Sequence, residues 1–251
     1  MYREMSAEDH RRVAGLKPGD TPDVLLLVGA FAVHPTGKRF AAYLEEAELL
    51  PTFPAYVARW KGLRVALAVC LGGPMAAMHV HTFCGAGVPV VIQLGWFGAL
   101  QPGIGLGDVV VPRHAERQDG VSDWYLAKGI LADATAGLSA AISANLRARA
   151  VPVSEHAIFS TPALLAESRE VIADWSRHGW EGVDMETAAT FAVAKHMGAE
   201  RAAALIRIDD LVAEEDSIAH ELTKERLALL RAREREVVEA VLEVVAGRSG
   251  R

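Results

Sequence analysis

The sequence predicts an α/β fold: one domain, residues 1–251, built on a mostly parallel mixed sheet with helices on both faces. Three observations carry this. Apolar runs of strand length at 24–28 and 88–94 show little alternation, as strands covered on both faces do. Segments of helical spacing lie between such runs, so strand and helix alternate along the chain. The chain has 251 residues, 51% of them hydrophobic, enough for a single core of ordinary size.

Taken in order, residues 1–22 are polar and read as loop, with the turn Lys17-Pro18-Gly19-Asp20 before the first strand at 23–29. A loop from Ala30 leads to a helix expected to run to about Leu50. Residues 55–60 and 63–70 read as strands joined at Lys61-Gly62, and Gly72-Gly73-Pro74 opens the next helix. Strands at 88–94 and 107–112, a helix near 132–149, a strand near 154–159 and a helix over 163–178 follow. A small-residue helix after Glu186 and a strand at 202–208 continue the alternation. Residues 217–246 form a long terminal helix whose apolar positions Leu222, Leu227, Leu230, Val237, Val241 and Val245 recur at helical spacing and should cover the sheet.

Composition excludes several classes. A formal charge of −6 gives no footprint for nucleic acid. No run is long enough for a membrane span, and the first residues lack a signal peptide's apolar core. Cys70 and Cys84 sit in apolar stretches without metal-ligand spacing, so they read as buried thiols of a reducing, cytoplasmic compartment, and no metal is expected.

The chemistry concentrates in Asp184-Met185-Glu186. Acids two apart on an extended segment point the same way, and acids at a helix start are where α/β proteins present polar groups to a ligand. The plainer reading makes Asp184 or Thr187 the cap of an ordinary core helix. This stretch, the strand ending Gln93-Leu94-Gly95-Trp96-Phe97-Gly98-Ala99, the segment Gly107-Asp108-Val109-Val110-Val111 and the strand end Arg207-Ile208-Asp209-Asp210 share one order and spacing. With Gly72-Gly73-Pro74 they resemble the nucleoside phosphorylase superfamily, which contains uridine phosphorylase, hexameric purine nucleoside phosphorylase and the methylthioadenosine nucleosidases. The resemblance runs from about Val24 to Val212.

The resemblance implies cleavage of a nucleoside's N-glycosidic bond, by phosphorolysis as the superfamily default, by hydrolysis as the alternative, or binding without turnover. Glu186 matches the glutamate that accepts the ribose hydroxyls, and Met185 the methionine that packs under the sugar. Asp184 stands where the family has a longer acid near the base. Asp209 or Asp210 matches the acid that serves the purine N7, the other being free to cap the next turn; an acid here favours a purine-type base. Phe159 matches an aromatic that stacks on the base and is equally explicable as core. His10 lies where uridine phosphorylase places a histidine reaching a neighbour's 5′-hydroxyl, so a homo-oligomer, dimer or hexamer, with shared sites is expected. Phosphate would be the co-substrate, yet its ligands depart from the pattern: Gly29-Ala30-Phe31-Ala32 replaces the phosphate loop, Gln93 an arginine and Trp96 a hydroxyl residue. An amide and an indole cannot replace a charged fork and a hydroxyl for a dianion. His34 is the nearest titratable group to the nucleosidase water site, though a loop histidine is more often simply exposed. Lys38 and Arg39 could supply cations from the same loop, or form a solvated helix start.

Overall fold

The computed structural model describes residues 2–214 and 221–249. Its elements in chain order are α1 (Ala7–Ala14), β1 (Val24–Gly29), α2 (Val33–Ala41), β2 (Glu45–Leu49), β3 (Ala55–Trp60), β4 (Leu63–Cys70) and α3 (Gly73–Gly85). Then come β5 (Val90–Ala99), β6 (Val109–Val110), β7 (His114–Arg117), β8 (Ala132–Asp133), α4 (Ala136–Ala148), β9 (Val153–Ser154) and β10 (Ile158–Ser160). The chain closes with α5 (Arg169–Arg177), β11 (Gly182–Asp184), α6 (Thr187–His196), β12 (Glu200–Asp210) and α7 (Lys224–Ser249).

One mixed sheet joins all the strands, in the order β2-β3-β4-β1-β5-β11-β10-β7-β8, with β12 on β5 and β6, and β9 on β6. Its centre is parallel: β1 lies between β4 and β5, and β12 runs along the whole of β5. The hairpins β2–β3–β4 and the pairing of β11 with β5 are antiparallel. All six residues of β1 are buried, as its apolar run predicts. Val28, Leu67, Ile92 and Leu94 face α4 and α7 on one side, and Leu25, Leu27 and Val91 face α3 and α6 on the other, so helices cover both faces as expected.

Local corrections have local causes. Residues 7–14 form a helix rather than a loop, because Ser6 and Asp9 make a reciprocal capping box that satisfies the first turn. The first long helix stops at Ala41; residues 45–49 pair with β3 as a charged edge strand instead, an arrangement that discourages further strand addition. The segment at 163–178 is a short 3-10 turn at Leu164–Ala166 followed by α5, which starts where the Ser168 hydroxyl accepts the Val171 N–H. The terminal helix begins at Lys224, and the part of its expected span at 217–220 lies outside the described residues.

Candidate active site

A cavity of about 650 Å³ opens over the strand ends where β1, β4, β5, β11 and β12 hand over to their following segments, with α2 and α7 as its outer wall. That is where open α/β sheets place ligands. Gly29–Ala32, Leu71, Trp96–Gly98, Val183–Glu186, Ile208 and Asp209 line it from the sheet side.

Glu186 is its most constrained acid. The residue is 6% exposed, and its Oε1 accepts the Gly72 N–H at 2.6 Å. Gly29 leaves room for it: a Cβ at residue 29 would stand 2.5 Å from Glu186 Oε2. Burial, and then the charge of Asp184, push the Glu186 carboxyl up to about 8, which favours its protonated form at neutral pH. Asp184 is also raised by burial, but hydrogen bonds from Ser160 Oγ, Thr187 Oγ1 and Thr187 N–H oppose the rise. Asp184 is the brace between β10 and the start of α6. Both its oxygens are engaged, which leaves it little to offer a base, and the helix-capping reading describes it better.

The two acids at the end of β12 divide their roles. Between Arg207 and Asp209 the register with β5 shifts by one residue, so Ile208 and Asp209, neighbours in sequence, both reach the cavity. Asp210 turns away: it pairs with Arg207 at 2.9 Å and accepts the Ala213 N–H at 3.0 Å. Asp209 is thus the acid facing the cavity and Asp210 the cap of the turn. Beside Asp209 lies Glu167, which the sequence reading missed. Burial, then Asp209's charge, raise Glu167 to about 7, and its buried Oε1 has no hydrogen-bond partner among the described residues.

Several expected site residues lie elsewhere. Phe159 is buried between Trp175 and Trp180, with ring centroids 4.3 and 4.6 Å away, and belongs to the core. His10 packs on α3, its ring against Gly85 and 5.4 Å from His81, since the capped helix α1 turns it inward. His34 is exposed on α2 and does not line the cavity. Gln93 is fully buried beneath it: its amide donates to the Leu94 carbonyl and accepts from the Thr190 hydroxyl. Trp96 does line the cavity, with its ring edge-on to Phe40, and Met185 lines it too. Lys38 is an exposed helix residue, whereas Arg39 points in.

The outer wall brings a cluster that was not foreseen as a unit. Glu234 of α7, its side chain 1% exposed, accepts from Arg39 Nε at 2.9 Å and from Arg231 Nη1 at 2.7 Å, and takes the Tyr43 hydroxyl at 3.3 Å. Spacing held the signal for Glu234. It sits between Leu230 and Val237 on the apolar stripe of α7, where a carboxylate is tolerated only if paired.

Acids and cations gathered over the carboxyl ends of a parallel-centred sheet define an α/β protein of the kind that encloses a small polar ligand. The chain belongs to the phosphorylase superfamily, whose family profile matches residues 26–243. A uridine phosphorylase of Thermococcus kodakarensis is 28% identical over 111 residues, 44% of this chain and 40% of that protein. A guanosine phosphorylase of Halorubrum lacusprofundi is 32% identical over 150 residues, 57% of this chain and 60% of that one. These two matches thus span less than two thirds of the relatives. A Vibrio cholerae purine nucleoside phosphorylase, DeoD-type 2, is 25% identical over 213 residues, covering 82% and 88% of the two chains. In fold, the chain superposes on a uridine phosphorylase from Vibrio fischeri with a TM-score of 0.81, at 23% identity, over 98% of this chain and 99% of that one.

Proposed function

We propose that this chain cleaves the N-glycosidic bond of a nucleoside or nucleoside-like metabolite. The observation that carries the reading is Glu186, a buried carboxyl group seated against Gly29 and Gly72 beside Met185. A sugar diol donating to this group favours its ionised form, and the resulting carboxylate stabilises the positive charge that grows on the ring as the bond to the base breaks. The bonding electron pair leaves with the base. Asp209, on the β12 side, donates a proton or a hydrogen bond to it, which suits a purine-type base.

The incoming oxygen belongs to phosphate in the superfamily default and to water in the alternative. Water is favoured by two observations: Gln93 is sequestered beneath the cavity, and Trp96 occupies the wall where a hydroxyl residue would stand. Base release from a panel of nucleosides, with and without phosphate, tests the reading. Free ribose at a rate independent of phosphate is expected. Ribose 1-phosphate formed in step with base would restore phosphorolysis, and tight binding without base release would identify a binding protein.

We further propose a homo-oligomer in the cytoplasm. Exposed Leu49 on β2 and the exposed Phe31, Leu71 and Leu165 at the cavity rim support association, and the free buried thiols Cys70 and Cys84 suit a reducing compartment.

A further inference from the structure

We propose that Arg39 and Arg231 form an oxyanion subsite on the outer wall of the cavity, and that the nucleoside-type substrate carries a phosphate or carboxylate group that reaches it. The inference deepens the glycosidic-cleavage reading and rests on it.

Arg39 and Arg231 are the two cationic side chains among the cavity-lining residues. They come from α2 and α7, 192 positions apart in sequence by their numbers (231 − 39), and converge on one carboxylate, Glu234. Two guanidiniums against one carboxylate leave one positive charge in surplus. Donors remain as well. Arg39 spends Nε and Nη2 on Glu234 and Thr36, while Arg231 spends Nη1 on Glu234. Nη1 of Arg39, and Nε and Nη2 of Arg231, make no hydrogen bond among the described residues, although a guanidinium offers five N–H groups in a planar fork. Glu234 holds both forks in place, and the Trp96 ring supports Arg39 from 5.9 Å. A preset pair of forks with unspent donors suits a phosphate or carboxylate, which accepts two parallel bonds.

The cavity lining also carries acid. Asp209, with Glu167 beside it, is acidic, while Arg207 is committed to Asp210. A ligand that carries both an electron-rich base and an oxyanion matches this mix of charges. Attachment to the substrate is favoured over free phosphate because the arginines project from the outer helices. Glu186 and Gly29, where an attacking nucleophile would have to approach the sugar, lie on the sheet side.

The test compares guanosine, adenosine and uridine with their 5′-monophosphates, and with inorganic phosphate alone. Calorimetric binding and base release are measured on the full chain and on Arg231→Gln and Arg231→Lys. Arg231→Gln leaves the Arg39–Glu234 pair intact, and circular dichroism checks that it folds. Monophosphates are expected to bind on the order of tenfold or more tighter than the nucleosides, because charge-assisted forks add strong hydrogen bonds. That advantage should vanish in Arg231→Gln, return in part in Arg231→Lys, and shrink with salt. Equal affinity for both ligand classes in the unmutated chain, with nucleosides cleaved, would overturn the subsite and leave the glycosidic reading standing. An advantage unchanged in Arg231→Gln would also overturn it. Binding of inorganic phosphate that depends on Arg231, with no preference for monophosphates, would move the oxyanion to a free co-substrate and overturn the attached form. If neither class is bound or cleaved, both proposals fall.

Discussion

At the scale of single residues, the site turns on one proton. Glu186 is raised to about 8, so in the native state it keeps a proton that the unfolded chain loses around and above pH 4.5. A raised acid favours the folded state below its unfolded value, and that contribution is lost as pH rises from about 4.5 to about 8. Stability is therefore expected to fall across that window, while sugar binding, which needs the carboxylate, strengthens across its upper part. Glu186→Gln should flatten both profiles, keep the fold, and lose roughly 2–4 kcal/mol of transition-state stabilisation, the scale of one preorganised electrostatic group. Thermal melts and kcat/KM against pH read both; a variant with unaltered kcat/KM would remove Glu186 from the site. Glu186, Met185 and Asp209 were legible in the sequence because they lie at strand ends, in a spacing that few arrangements produce. His10 and Phe159 lie away from the cavity, because a residue type at a matching position says nothing of which way its element turns. The choice between Asp209 and Asp210 was hidden in a one-residue register shift, which leaves no mark in composition.

At the scale of elements, the end of β1 meets the residue that leads into α6 at close quarters. Gly29 ends β1 directly under the Glu186 carboxylate, and its backbone needs no left-handed conformation, so alanine is barred by space alone. Gly29→Ala should push the carboxylate off the Gly72 N–H at a cost of about 1–3 kcal/mol, typical of one methyl group forced into a packed interior. Activity should fall much further than stability, at least about tenfold in kcat/KM. Urea melts and kinetics on one preparation compare the two losses; equal activity would mean the carboxylate has room to shift. The strands that form the sheet's centre were readable from their apolar runs. Short elements were not: β6, β8 and β9 have two residues each and exist because neighbouring strands pair with them. The edge strand β2, made of Glu45-Glu46-Ala47-Glu48-Leu49, has helix-forming residues overridden by the hairpin.

At the scale of the whole molecule, the apolar rim of the cavity and the exposed Leu49 of β2 predict self-association. Sedimentation at micromolar concentration should show a dimer or larger, and a monomer would end that expectation. The sheet also has an order of completion. The central strand β5 pairs with β12 from Glu200↔Val90 to Asp210↔Ala99, and β12 is among the last strands to be synthesised. At about 5–20 residues per second, the edge of β5 that receives β12 stays open for roughly 5–20 s after β5 itself emerges. During that interval Val91, Ile92 and Leu94 belong to a strand whose backbone can accept a stranger. A ribosome-bound chain arrested with residue 199 exposed should be cleaved by protease within β5, and one arrested with residue 214 exposed should resist. Equal resistance would mean that other contacts close the edge first. The strand that brings Asp209 to the cavity is thus also the one that ends the nascent chain's exposure to aggregation, so substitutions that loosen β12 should reduce yield in cells before they reduce the activity of the molecules that fold.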